Sequence, residues 1–165
     1  MTKTPKMPEQ EPSADKPFRY FMQVRYSECD PQQVVFNARY GDYIELAATE
    51  FLYVVGAELR NLEASLDYQV VKLTIEWKAP ARYRDTLEIS VRTTHLGNTS
   101  FALATEFRNA ETGQFLARGE MIGVAIHPET FEKIAIPEAV KQAMQKGAQG
   151  LFVDHAGRFT APQAH

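Results

Sequence analysis

The chain has 165 residues, 44% hydrophobic and 24% charged, which is enough to bury one core but would leave each of two domains marginal. Its net charge is -3 and its pI is about 5.8, and the cations are scattered, so the sequence has no footprint for nucleic acid. A single cysteine, Cys29, excludes an intrachain disulfide framework and a cysteine-rich zinc site.

The first segment, residues 1–16, is polar and rich in Pro, Lys and Glu, which predicts a flexible N-terminal tail. It has no apolar run of signal-peptide length, and no later run approaches the length of a membrane span. We therefore expect a cytoplasmic protein without a membrane span. We expect one domain over residues 17–147 and a C-terminal tail over residues 148–165.

The segment Phe18–Tyr26 has the aromatic and β-branched content of a strand, and Asp30-Pro31 breaks it. After that turn, apolar side chains recur at helical spacing and predict a long helix. Asn37 is a candidate N-cap and Gly56 a candidate stop for this helix. The periodic residues are Tyr40, Tyr43, Ile44, Ala47, Phe51 and Val54.

Four more strands are predicted after the helix. Apolar and polar residues alternate in VVKLTIEWKA and in TLEISVRTTHL. Turns at Gly97-Asn98 and Thr112-Gly113 lead into two returning strands, and a short helix follows between Pro137 and Gly147. This order predicts an α+β domain in which a curved antiparallel sheet wraps around a long central helix.

The stretch VRYSECDPQQVVFNARYGDYIELAATEFL, Val24 to Leu52, resembles the strand, aspartate loop and helix start of a known family. That family is the 4-hydroxybenzoyl-CoA thioesterase-like branch of the hotdog-fold acyl-CoA thioesterases. A second stretch, WKAPARYRDTLEISVRTTHLGNTSFALATEF, is similar to the family's next hairpin, and the similarity runs from about Phe18 to Met144. The resemblance implies a hotdog fold and hydrolysis of an acyl-CoA to a free acid and CoA.

The resemblance also implies roles for particular residues. Asp30 would be the catalytic carboxylate, as general base or as nucleophile, and the backbone N–H of Asn37 would polarise the thioester carbonyl. Helix physics is compatible with both roles, because a helix N-terminus stabilises a nearby carboxylate and offers unpaired amides to an oxyanion. The substrate contacts that follow from the resemblance are Gln33, Val34, Val35, Phe36, Tyr40, Arg82, Arg84, Asn98, Thr99 and Ser100.

Two positions depart from the family pattern. Many relatives have glycine two or three residues after the aspartate, where this chain has Gln32 and Gln33, so a glutamine could narrow the pocket or bind substrate. Relatives often have a cation in the hairpin turn that reads Gly97–Ser100 here. The CoA phosphates would then be held by amides and hydroxyls of this turn or by one of three arginines: Arg82, Arg84 and Arg118.

Other residues offer alternative chemistry. Cys29 has no neighbouring base to activate it and is predicted to be a buried thiol. Glu45 could be a second carboxylate, although a solvated or ion-paired helix residue is the simpler interpretation. The four histidines lack metal-ligand spacing, so we predict no metal or other cofactor. A hotdog dehydratase is disfavoured because its histidine motif is missing.

A single curved sheet leaves an unpaired edge and an open pocket. We therefore expect a homodimer or homotetramer, in which edge-to-edge pairing closes the site that takes the acyl-CoA. The rival interpretation is a non-catalytic acyl-CoA-binding module of the same fold. Binding alone does not need a carboxylate beside the thioester, and the charge would repel an anionic ligand, so the sequence favours the enzyme.

Overall fold

The computed structural model describes residues 15–59 and 66–159. Of the predicted N-terminal tail, residues 1–14 lie outside this described part. Two short 3-10 turns, Tyr26–Glu28 and Gly56–Glu58, flank the long helix. The other elements, in chain order, are β1 (Phe18–Gln23), α1 (Arg39–Val55), β2 (Tyr68–Trp77), β3 (Thr86–Leu96), β4 (Ser100–Asn109), β5 (Phe115–Ala125), α2 (Glu138–Lys146) and β6 (Phe152–Asp154).

The described strands form one sheet in the order β2-β5-β4-β3-β1-β6. Neighbouring strands are antiparallel except β1 and β6, which are parallel. The ladders are interrupted by irregularities after Val70 in β2, Thr93 in β3 and Phe107 in β4. Such bulges bend a strand and increase its twist, so the sheet curves around α1. The predicted α+β architecture is confirmed.

The apolar stripe of α1 is buried against the concave face of the sheet. Phe51 packs on Phe18 of β1 with ring centroids 5.7 Å apart. Gly119 lets β5 approach α1 closely, because a Cβ at this position would lie only 2.6 Å from Cδ1 of Ile44 on the helix. The buried residues of the helix are Tyr40, Tyr43, Ile44, Ala47, Ala48, Phe51 and Val55. The core therefore lies between one helix face and the sheet, as the helical spacing predicted.

The C-terminal segment adds an element that the sequence pattern did not indicate. After α2, Gly147 adopts a left-handed φ of 68°, which glycine allows without a steric penalty. The chain then returns as β6, where Phe152 pairs with Arg19 of β1. Phe159 packs edge-on against Phe21 at 5.1 Å. Three residues are too few to show strand periodicity, so residues after 147 read as a tail in the sequence.

Candidate functional site

The loop between β1 and α1 carries Asp30. The Asp30 N–H donates to the Val34 carbonyl at 2.9 Å, and the Gln33 N–H donates back to the Asp30 carbonyl at 2.8 Å. The side-chain Oδ1 of Asp30 accepts the Gln32 N–H at 2.8 Å, which is an Asx turn. Among the described residues nothing donates to Oδ2, so the loop orients the carboxylate and leaves one oxygen free for water or substrate.

Gln33 has a backbone φ of 64°, in the left-handed region. Glycine adopts this conformation without penalty, whereas other residues are strained there by about 1 kcal/mol or more. It is one of the two glutamines at the position where many relatives have glycine. The side chain is exposed and lines the same cavity as Asp30. The loop therefore keeps the glycine-type backbone but adds an amide side chain beside the carboxylate.

A cavity of about 450 Å³ lies next to Asp30. Tyr26 and Tyr83 form its aromatic side, with rings edge to face at 5.7 Å and 79% and 47% of their surfaces exposed. Its lining consists of Tyr26, Cys29, Asp30, Pro31, Gln33 and Tyr83. Its volume falls in the range of small-molecule sites. The free carboxylate oxygen thus lies beside a partly aromatic cleft rather than on a flat surface.

The start of α1 differs from the sequence prediction. Ala38 is the N-cap residue and makes no side-chain cap, so the prediction of Asn37 as N-cap is wrong. The reason is a tight turn before the helix, in which the Phe36 and Asn37 carbonyls accept the N–H groups of Arg39 and Tyr40 at 2.9 and 3.3 Å. Within the described part of the chain, the N–H groups of Asn37 and Ala38 have no acceptor. They remain donors at the positive end of the helix.

The loop before β3 packs beside the aspartate loop. The Val35 N–H donates to the Ala81 carbonyl at 2.8 Å, and Val34 forms an antiparallel bridge with Arg82. The Arg84 N–H donates to the carbonyl of Val24, the residue after β1, at 3.1 Å. These contacts place the backbone of Arg82 and Arg84 near the aspartate loop, and both side chains are exposed.

The other predicted substrate contacts differ in exposure. Phe36 is 54% exposed, and Val34 is half-buried. Val35 and Tyr40 are buried, with 3% and 1% exposed. The Tyr40 hydroxyl is hydrogen-bonded to the backbone of Ala81, and its ring packs in the core. Val35 and Tyr40 therefore support the loop from below and present no surface to a ligand in this structure.

The predicted phosphate-binding turn lies away from Asp30 in the same chain. β3 begins beside the aspartate loop and reaches the Gly97–Ser100 turn after eleven residues, which at roughly 3.3 Å per residue is about 35 Å. The Asn98 and Thr99 carbonyls accept backbone N–H groups at 2.8 and 2.7 Å. The third candidate cation, Arg118, forms an ion pair with Glu76. One chain alone does not assemble Asn98, Thr99 and Ser100 with Asp30.

Glu28 was missed by the sequence analysis. It is 4% exposed, and its carboxylate accepts hydrogen bonds from Arg25 and from the Tyr43 hydroxyl. Burial acts to raise the pKa of Glu28, but the bonds from Arg25 and Tyr43 together outweigh it and lower the pKa below its usual value. Burial, followed by the bond to Glu28, strongly raises the pKa of Tyr43. The only indication in the sequence is that Glu28 follows Arg25 by three residues, a spacing that allows an ion pair.

Cys29 and Glu45 offer no alternative catalytic group in this geometry. Burial, followed by the charges of Glu28 and Asp30, raises the pKa of the Cys29 thiol, so it stays protonated near neutral pH. Glu45 lies on the exposed face of α1. Within residues 15–59 and 66–159 there is no group of three or more side chains suited to a metal ion, and no described helix is both long and apolar enough to cross a bilayer.

The sequence of this chain is similar to a family model and to several curated hydrolases. Residues 24–144 match the model of the thioesterase-like superfamily. The acyl-CoA thioester hydrolase YbgC of Escherichia coli O157:H7 is 32% identical over 124 residues, covering 74% of this chain and 92% of the relative. The 1,4-dihydroxy-2-naphthoyl-CoA hydrolase of Synechococcus elongatus is 24% identical over 125 residues, covering 74% and 90%.

A solved structure shares the architecture over nearly the same span. Slr0204, a 1,4-dihydroxy-2-naphthoyl-CoA thioesterase from Synechocystis, superposes with a TM-score of 0.67 at 25% identity. The match covers 77% of this chain and 94% of that one. The family match at residues 24–144 includes the aspartate loop, the start of α1 and the loop before β3.

Proposed function

Because this chain belongs to the thioesterase-like superfamily, we propose that it hydrolyses an acyl-CoA to a free acid and CoA with Asp30 as the catalytic carboxylate. The observation that carries the proposal is the aspartate loop itself. At one end the loop holds the Oδ2 of Asp30 beside a cavity, and at the other it presents the N–H of Asn37. Neither group has a hydrogen-bond partner within the described part of the chain. These two groups are what thioester hydrolysis needs, a base or nucleophile and an oxyanion donor.

Two routes use the same groups. In the first, Asp30 takes a proton from water as the water oxygen attacks the thioester carbon, and the Asn37 N–H stabilises the resulting oxyanion. Collapse then breaks the C–S bond, and the proton leaves with the CoA thiol. In the second route, Asp30 attacks the carbon itself, CoA leaves, and water hydrolyses the mixed anhydride. Both consume one water and yield the acid and CoA.

The assembly that we propose is a homodimer, alone or within a tetramer, formed through the edge strand β2. This strand pairs only with β5 in the described part of the sheet, and it carries a row of exposed apolar side chains. An exposed apolar edge of this kind favours pairing with a second strand. The exposed residues are Val70, Val71, Leu73 and Trp77.

Twofold pairing of β2 would also bring the predicted phosphate contacts to the site. Two identical strands related by a twofold axis normal to the sheet run antiparallel. Tyr68 begins β2 near the Gly97–Ser100 turn, and Trp77 ends it on the side of Asp30. In the dimer, the partner subunit's Gly97–Ser100 turn would therefore lie at this chain's Asp30 end. We propose that Arg82 and Arg84 of one protomer and that turn of the other bind CoA.

The decisive experiment measures thiol release from a panel of aromatic, short aliphatic and long-chain acyl-CoAs. Asp30→Asn keeps the side-chain shape but can neither accept a proton from water nor form an anhydride. We expect kcat to fall by about 10²-fold or more on the best substrate, with KM within a few-fold of wild type. The matched variant Glu45→Gln, which alters the other candidate carboxylate, should keep its kcat. Near-normal turnover by Asp30→Asn would contradict the proposal and make Glu45 the next residue to test.

The same panel separates the enzyme from the binding module. A non-catalytic module would bind acyl-CoA in calorimetry without releasing thiol from any of the substrates.

Assembly is tested by light scattering on wild type and on Leu73→Lys. The wild-type mass should be that of a dimer or a multiple of it. A lysine in the apolar row should yield monomers with little activity, because the phosphate contacts come from the partner. A fully active monomer would rule out the shared site.

A further inference from the structure

A buried carboxylate lies two residues before Asp30 and has no part in the proposed chemistry. Oε1 of Glu28 accepts the guanidinium Nε and Nη2 of Arg25 at 3.0 and 2.7 Å. Its Oε2 accepts the backbone N–H of Arg25 and the hydroxyl of Tyr43, both at 2.8 Å. With 4% of its surface exposed, Glu28 cannot contact a substrate in the cavity. The group is fully hydrogen-bonded and belongs to the protein's own framework.

These bonds connect the aspartate loop to α1, whose relative position the proposed reaction depends on. Tyr43 projects from the second turn of α1 and is 1% exposed, so the helix core fixes its position. The carbonyl of Glu28 accepts the N–H of Phe36 at 2.9 Å, and Phe36 immediately precedes Asn37. Glu28 therefore holds the chain before Asp30 through its side chain and the chain before Asn37 through its carbonyl.

An apolar side chain would be the less costly choice at this buried position. Burying a charge is unfavourable unless it is paired and hydrogen-bonded, and an apolar side chain would fill the same space without that cost. The geometry that the charge provides is specific, since hydrogen bonds to an ionised group are directional and strong. The lowered pKa of Glu28 agrees with an ion that the fold keeps charged at neutral pH.

We infer that Glu28 is a positioning residue of the thioesterase site, which fixes the Asp30 carboxylate relative to the Asn37 N–H by tying the aspartate loop to Tyr43 of α1. This inference rests on the proposed roles of Asp30 and Asn37. Glu28 acts through those groups and touches neither substrate nor water at the reacting carbon. Tyr43 is the helix side of the same link.

The test compares Glu28→Gln and Tyr43→Phe with wild type in steady-state thiol release. Gln puts an NH2 group in place of a carboxylate oxygen that accepts two hydrogen bonds, so the link between Glu28 and Tyr43 is broken or shifted. A displacement of about 1 Å at the reacting groups lowers kcat by roughly 10²-fold. Tyr43→Phe removes only the hydroxyl and should give a smaller loss of kcat. KM should stay within a few-fold in both variants. The matched control is Glu106→Gln, which alters a carboxylate of β4 ion-paired with Arg108 at 3.6 Å, and it should leave kcat unchanged.

A double-mutant cycle distinguishes positioning from general stabilisation. If Glu28 acts by placing Asp30, then Glu28→Gln should add little to the loss already caused by Asp30→Asn. Equal losses in both backgrounds would overturn the inference. The inference would also be overturned if Glu28→Gln and Tyr43→Phe both folded and kept the wild-type kcat while Asp30→Asn was inactive. An active Asp30→Asn would instead overturn the proposed function. If Glu28→Gln fails to fold, as judged by circular dichroism, Tyr43→Phe and its cycle with Asp30→Asn decide the matter.

Discussion

The first and last turns of α1 belong to one continuous helix but face different surroundings. The start of the helix contacts the buried carboxylate of Glu28, and Asp30 lies nearby. Among the described residues, the amides of Asn37 and Ala38 just before the helix have no acceptor. At its other end Phe51 and Val55 are buried, and α2 contributes Val140 and Met144 to an apolar cavity of about 380 Å³. Unpaired backbone donors cost stability, whereas apolar burial supplies it. Turnover therefore depends on the polar start of α1, whereas the larger part of the stability that the helix contributes comes from its apolar end.

The largest expected change in stability is at the apolar end. Phe51→Ala removes a ring that is 1% exposed and packs on Phe18, so the free energy of unfolding should fall by about 3–5 kcal/mol. The kcat of the folded enzyme should stay within a few-fold of wild type, because α1 still begins at the same residues. Urea unfolding and thiol release, measured on the same preparation, check both expectations. A large drop in kcat without unfolding would show that the two ends are coupled.

The polar end should also give stability a pH dependence, through Glu28 and Tyr43. The pKa of Glu28 is lowered from 4.5 by folding, so its charge contributes stability above pH 4.5, and that contribution is lost as pH falls through the folded pKa. Tyr43 behaves in the opposite sense, because its pKa is raised from 10.0. Its contribution is complete below pH 10.0 and declines at higher pH.

Urea midpoints as a function of pH test this expectation. The stability gap between wild type and Glu28→Gln should narrow in acid. Tyr43→Phe should show a smaller alkaline decline than wild type, and some decline should remain because the pKa values of Tyr20, Tyr40 and Tyr68 are also raised. Phe51→Ala should shift the whole profile without changing its shape. Parallel profiles for wild type and Glu28→Gln down to the acid transition would contradict the assignment of a charged Glu28.

The smallest expected effect is at Gln33 in the aspartate loop. Gln33→Gly relieves the left-handed strain at φ 64° but adds chain entropy to the unfolded state, so the net gain in unfolding free energy should not exceed about 1 kcal/mol. Removing the amide should also admit bulkier acyl groups. Phe131→Gly is a matched control, since Phe131 is exposed and has a φ of 60°. It should show the stability change without altering substrate preference, and identical preference in both variants would show that Gln33 does not line the acyl site.

The elements with long periodic patterns could be predicted from the sequence, and the local hydrogen bonds could not. The spacing of Tyr40 to Val54 predicted α1, and the aspartate motif identified the hotdog thioesterase family, which the family match and the solved relatives confirm. Asn37 was a wrong N-cap because the turn before the helix uses backbone acceptors, a choice that side-chain identity does not reveal. Glu28 was missed because burial is set by packing between distant elements. The domain limits at residues 17 and 147 stay predictions.

The exposed edge strand also gives the molecule an intrinsic optical probe. Trp77 is the single tryptophan of the chain, 44% exposed near the end of β2, with its ring edge-on to Tyr40 at 6.0 Å. Its fluorescence therefore comes from one place, between the core of α1 and the strand edge that a second protomer would cover. Emission should move to shorter wavelength as protein concentration rises and return on dilution, since association follows mass action. The dissociation constant of the dimer can thus be read from unlabelled protein in the same cuvette that reports thiol release.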